Sequence, residues 1–183
     1  MKDQIIITVG RESGSGGHCI AQMIAEKLNI RLFDKVLIEE TVKFSGYSEK
    51  DIRALDEKPV NVFISRRIGK YSNSLEENVA EKVFGFIRQQ ADAGESFVLV
   101  GRCGEYILRD NPNAVHVFVR GDYETKIQHM IESRGLSKSD AQETIRDTDR
   151  KRKVYHNYYS DRKWGDSRAY DVCINSSKLG LEK

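Results

Sequence analysis

A chain of 183 residues has the length of one ordinary domain, and 39% hydrophobic with 32% charged residues excludes an integral membrane protein while leaving enough apolar side chain for a core. Lysine and arginine total 30 against 28 acidic residues, a formal charge of +2, so attraction for phosphate has to come from local clusters and not from a polybasic field. Cys19, Cys103 and Cys173 form no Cys-x-x-Cys pair, which argues against a disulfide framework and a zinc site, and the N-terminus lacks a signal-like apolar stretch, so a cytoplasmic protein with reduced thiols is expected.

Ile5-Ile6-Ile7-Thr8-Val9, closed by Gly10, is a continuous β-branched run of the kind buried on both faces of a parallel sheet. Ile20, Met23, Ile24, Lys27 and Leu28 then recur at helical spacing, and Arg31-Leu32-Phe33 reads as a short second strand ending at Asp34. Residues 35 to 73 show no strong period. Ser48-x-x-Asp51 offers a helix start there, and Arg66, Arg67, Lys70 and Tyr71 make a basic, partly aromatic patch. Ser74-x-x-Glu77 is a capping box opening a long amphipathic helix, with Val79, Val83, Phe86 and Ile87 on one face and Gly94 as its stop. Phe97-Val98-Leu99-Val100 and Val115-His116-Val117-Phe118-Val119 are two further hydrophobic strands. Asp122 and Gly135 bracket a helix, Ser137-x-x-Asp140 opens another, and Tyr170-Asp171-Val172-Cys173-Ile174 is the last strand. Strands alternating with helices predict a three-layer α/β fold with right-handed crossovers.

Gly10-Arg11-Glu12-Ser13-Gly14-Ser15-Gly16-Gly17-His18 lies between the first strand and its helix, where backbone amides and the helix N-terminus together favour a phosphate. Ser13, Gly14, Ser15, Gly16, Gly17 and His18 are therefore candidate nucleotide phosphate ligands. As a P-loop the stretch is incomplete: with Gly16 as the last glycine of the motif, Gly17 takes the place of the lysine and His18 that of the metal-binding hydroxyl. A dinucleotide fingerprint is the competing reading, because Gly14-x-Gly16 is followed by Asp34 at about the 20-residue offset of a ribose-binding acid. Cys19 spoils its third glycine.

Phosphoryl transfer needs cations around the phosphates, a metal, and alignment of the acceptor. Arg146, Arg150 and Lys153 fall at spacings of four and three, a single cationic stripe if helical, whose bland alternative is a solvated face balanced by Asp147 and Asp149. Arg11 is the cation nearest the loop, with an ion pair to Glu12 or Asp34 as its alternative role. Arg102 and Asp34 end strands at the carboxyl edge, where α/β sheets bind ligands; Asp34 could hold a metal-bound water or orient an acceptor hydroxyl. His116 reads as a satisfied core histidine, and Tyr155, Tyr158 and Tyr159 as packing groups, so a nucleic-acid partner is not expected.

The run from Ile5 through Gly17 with Ile20-Ala21, then Phe33-Asp34-Lys35 and Leu37-Ile38, Val98-Leu99-Val100-Gly101-Arg102-Cys103, and Trp164-Gly165 leading to Tyr170 through Gly180, resembles the bacterial cytidylate kinase-like family of P-loop proteins. The resemblance runs nearly end to end and is weakest over residues 45 to 75. It implies a P-loop NTPase fold with a five-stranded parallel sheet, a substrate-binding insertion over 35–75 and a lid over 137–165. It implies ATP and Mg²⁺ as cofactors, transfer of the γ-phosphoryl group to CMP or dCMP, and Arg102 on the acceptor phosphate; Arg66 and Arg67 are expected to join it there, and Arg11, Asp34, Arg146 and Arg150 form the expected catalytic set. Val100 departs from the family pattern, standing where an aspartate ends the third strand of true cytidylate kinases. A P-loop protein that binds nucleotide for regulation, with little turnover, is the alternative.

Overall fold

A computed structural model describes residues 4–34, the backbone at 67–68 and 71–72, and residues 74–181. Of the expected insertion over 35–75, residues 35–66, with Arg66 and the helix start at Ser48, lie outside the described residues, and of Arg67 only the backbone falls within them.

The β-branched run forms β1 (Ile6–Arg11), followed by α1 (Gly17–Leu28) and β2 (Arg31–Phe33). Two short antiparallel strands, β3 (Arg67–Ile68) and β4 (Tyr71–Ser72), precede α2 (Leu75–Asp92). Then come β5 (Phe97–Val100), a single turn α3 (Gly104–Ile107), β6 (Ala114–Arg120), α4 (Tyr123–Arg134), α5 (Lys138–Tyr159), β7 (Val172–Asn175) and a short α6 (Ser176–Leu179). The helix starts expected at Ser74 and Ser137 and the stop expected at Gly135 hold at atomic detail. Ser74 and Ser137 are N-caps whose side chains accept from the amides of Glu77 and Asp140, and Gly135 closes α4 with φ of 65°.

The main sheet runs β2-β5-β1-β6-β7, and every pairing is parallel. Among these five strands alone, the third in sequence separates the second from the first. A dinucleotide-binding βαβ unit pairs its first two strands directly, so this order overturns the fingerprint reading of Gly14-x-Gly16 and Asp34.

The central strands are mostly apolar because both of their faces are covered. Phe97, Leu99, Ile6 and Phe33 turn to one face, where Val83, Phe84, Phe86 and Ile87 of α2 meet them. Val98, Val100 and Val9 turn to the other, against Ala21 and Ala25 of α1. Burial of each large apolar side chain contributes about 1.5–3 kcal/mol, so these two layers hold the sheet between them and fix its register. A third cluster, Ile127 and Met130 with Ala141 and Ile145, joins α4 to α5. The carboxyl ends of β1, β2 and β5 therefore emerge together and carry the glycine loop, Asp34 and Arg102.

Candidate functional site

The glycine loop turns on Gly14 and Gly16, whose φ angles of 80° and 73° fall in the left-handed region. Space is as restrictive as the backbone: a Cβ on Gly14 would lie 2.8 Å from the carbonyl oxygen of Lys126, and one on Gly17 would lie 2.5 Å from Cβ of Arg11. Within the loop, Ser15 Oγ donates to the Glu12 carbonyl at 2.8 Å, and His129 Nδ1 lies 2.8 Å from the Gly14 carbonyl oxygen. Among the described residues no acceptor takes the amides of Gly14, Gly16, Gly17 or His18. The amide of Ser13 is engaged, donating to Asp149 Oδ1 of α5 at 2.6 Å.

Asp149 belongs to a charged cluster beneath the loop. Lys126 Nζ, on α4, donates to Glu12 Oε2 at 3.0 Å and to Asp149 Oδ2 at 3.4 Å, and its side chain is only 8% exposed. Glu12 Oε2 also accepts the amide of Gly121. Arg152 donates to the Arg11 carbonyl at 3.2 Å and sits 3.9 Å from Asp149. Burial pushes the Asp149 carboxyl above the usual carboxylate range, and the Ser13 amide and the Lys126 ammonium oppose that shift. The loop is thus braced by one carboxylate on each side of a buried lysine.

Two clefts meet at Arg11 and Arg152. The larger, of about 390 Å³, is bounded by the loop from Glu12 to His18 and by Asp34, His129 and Arg134. Within it His18 Nε2 lies 2.5 Å from Asp34 Oδ2. The smaller is a narrow slot lined by Gly101, Arg102, Glu105, His156, Trp164 and Tyr170 as well as the two shared arginines. Its floor carries backbone in a sparsely populated conformation: Gly101, Arg102 and Cys103 all have positive φ, between 54° and 78°. The turn buries the Arg102 side chain, whose Nη1 donates to the Val100 carbonyl at 3.1 Å. Glu105 Oε1 lies 2.5 Å from His156 Nε2, both side chains buried.

Arg11, Asp34, Arg102 and the residues from Ser13 to His18 are thus brought to one edge of the sheet. Arg146 and Arg150 are not. Their side chains are 73% and 70% exposed, both pair with Asp147, and neither lines either of these two clefts. The helix turns this stripe to solvent because Ala141, Ile145 and Tyr155 set its buried face. Arg152, from the same helix, reaches the site instead. Lys126, Asp149 and Arg152 were missed as site residues, although Asp149 and Arg152 continue the Ala141–Ile145 face at helical spacing. His116 is a core histidine, buried with Nδ1 2.9 Å from Thr8 Oγ1, and Tyr155 packs on Tyr159 with ring centroids 4.9 Å apart.

A glycine loop between the first strand and its helix, on a parallel sheet of this order, defines a P-loop kinase-like α/β fold. The chain belongs to the cytidylate kinase-like family, whose model matches residues 6–178. A crystal structure of an uncharacterized protein from Eubacterium ventriosum ATCC 27560 is similar at 38% identity and a TM-score of 0.76, over 98% of this chain and 92% of that one. The shikimate kinase from Bacteroides thetaiotaomicron, at 13% identity, shares the fold with a TM-score of 0.53, over 98% of this chain and 89% of that one. No curated protein matches the chain. No described helix is long and apolar enough to cross a membrane.

Proposed function

We propose that the protein is a phosphotransferase that binds ATP through residues 13 to 18 and passes the γ-phosphoryl group to a small phosphorylated acceptor, CMP or dCMP in first place. The observation that carries this reading is the meeting of two clefts at Arg11 and Arg152, one bounded by loop amides and the other by Arg102. The amides of Gly14, Gly16, Gly17 and His18, with the N-terminus of α1 behind them, suit the β- and γ-phosphates. Arg11 and Arg152, which line both clefts, would supply the cations that charge on the transferring group needs and that Gly17 cannot. Arg102, fixed by its own strained turn, suits the acceptor phosphate as a fork of donors. A divalent cation, Mg²⁺ by the resemblance, would neutralise phosphate charge and orient it. Asp34 and His18 offer a divalent ion a carboxylate and an imidazole at the loop's edge, the imidazole in place of the hydroxyl of a standard P-loop.

The second reading, a nucleotide-binding regulator with little turnover, is favoured by the carboxylate of Asp149 on the Ser13 amide and by the missing lysine. ADP release measured across a panel of nucleoside monophosphates separates the two. Turnover fastest with CMP or dCMP supports the kinase; ATP binding with no phosphorylated acceptor supports the regulator.

A further inference from the structure

His18 occupies the position at which a P-loop carries its metal-binding hydroxyl, and it faces Asp34 from the start of α1 while Asp34 faces it from the end of β2. Both line the loop cleft, and side-chain exposures of 49% and 21% leave them reachable by an ion that arrives with a phosphate. We propose that His18 and Asp34 form a divalent-metal site, completed by nucleotide phosphate oxygens, that selects a first-row transition-metal ion over Mg²⁺. The inference rests on the nucleotide-binding reading above.

The chemistry lies in the donor set. Carboxylate and phosphate oxygens serve Mg²⁺ and Mn²⁺ alike, whereas an imidazole nitrogen adds little for a hard ion and more along the first-row transition series. Replacing a hydroxyl by an imidazole at one position therefore shifts preference without dismantling the site. Among the described residues no group of three or more His, Cys, Asp or Glu could hold a metal ion, so of these residues only the pair is proposed as ligands, with phosphate oxygens beside it. Nucleotide and metal should accordingly bind together. Two adjacent ligands at about 2.1 Å from one ion stand roughly 3 Å apart, so the pair has to open by about half an ångström, a small rotation for side chains that both reach solvent. The ion takes the place of the Nε2–Oδ2 hydrogen bond, and a proton on Nε2 moves to Nδ1 or is released to solvent.

The test uses Mn²⁺ with the β,γ-methylene analogue of ATP and pulsed electron paramagnetic resonance, which detects a directly bound ¹⁴N. Wild-type protein is expected to show the coupling. His18→Ser, which restores a hydroxyl, is expected to lose it, and the Mg²⁺ needed to displace half of the Mn²⁺ should fall by about tenfold. Asp34→Asn should keep the coupling while weakening Mn²⁺ binding by about tenfold. Binding of the analogue is followed separately by calorimetry in EDTA. If it binds and wild type shows no nitrogen coupling, or if the coupling survives in His18→Ser, the metal site is overturned while nucleotide binding stands. If it binds neither with EDTA nor with Mn²⁺, both readings fall.

Discussion

Asp149 Oδ1 accepts a hydrogen bond from the Ser13 amide across 2.6 Å, so a carboxylate of α5 is tied directly into the glycine loop. The same carboxylate meets Lys126 and Arg152, which couples two helices to the element that cradles phosphate. Any movement of α5 toward or away from the cleft is therefore felt at the loop backbone.

The coupling has a pH signature. Burial raises the Asp149 carboxyl above its ordinary value. The folded protein then binds more protons than the unfolded chain between about pH 4 and the folded value, and the slope of unfolding free energy against pH is negative there. This stabilising contribution is complete below about pH 4 and is lost as pH rises through the folded value. Urea unfolding of wild type and Asp149→Asn between pH 4 and 7 should show the wild-type advantage shrinking as pH rises. A difference independent of pH would contradict the buried placement.

His116 gives the opposite sign. Burial between β1 and the segment before β7 lowers its pKa, against the pull of Asp171 and then Glu105. The unfolded histidine, near pKa 6.5, therefore takes up its proton first as pH falls. Stability from the neutral ring is present above about pH 6.5 and lost below it as the unfolded chain binds protons. His116→Asn can retain a partner for Thr8 and should flatten the stability profile between pH 7.5 and 5. An unchanged slope would mean that the ring titrates normally in place.

Gly14→Ala combines two faults. The position has φ of 80°, and the new Cβ would meet a backbone oxygen that no rotamer can move. The left-handed backbone alone costs about 1–2 kcal/mol for a residue with a side chain. Urea denaturation should show at least that loss, and a fluorescent-nucleotide titration should show weakened binding, because the loop must shift to relieve the contact. Full binding with unchanged stability would show that the loop tolerates another shape.

Much of the fold was legible because it depends on local chemistry. The run Ile5 to Val9, the cap at Ser74 and the bracket from Asp122 to Gly135 each announce an element within a few residues, and the structure places strands or helix ends there. Helix α3 was not foreseen. It follows the positive-φ turn at Gly101 to Cys103, a conformation without a reliable sequence mark when two of the three residues carry side chains. The loop was legible as a phosphate cradle, whereas its support by Lys126 and Asp149 depends on the approach of two helices more than 100 residues downstream. The stripe Arg146, Arg150 and Lys153 obeyed helical spacing, yet spacing alone does not say which way a stripe faces. The apolar positions Ala141 and Ile145 on the same helix decide that.

The orientation of α5 sends two arginines two residues apart to different surroundings. Arg152 donates to the Arg11 carbonyl and lines both clefts, so its guanidinium lies beside the phosphates in the proposed reaction. Arg150 pairs with Asp147 at 3.6 Å on the exposed face. An exposed pair of this kind contributes about 0–1 kcal/mol to stability, and in the proposed reaction it stays clear of the phosphates. A cation at the transferring group, by contrast, can supply about 10³-fold in turnover. Arg152→Ala is therefore expected to lower kcat by about 10³-fold with a smaller change in ATP affinity, and Arg150→Ala by far less. Thermal unfolding of both variants separates lost chemistry from lost folding, because Arg152 also braces Asp149. Arg152→Lys keeps the charge without the fork, so partial recovery of kcat would locate the effect in electrostatics and not in packing. Equal losses in Arg150→Ala and Arg152→Ala would instead mean that α5 rotates on closing and carries its outer stripe over the phosphates.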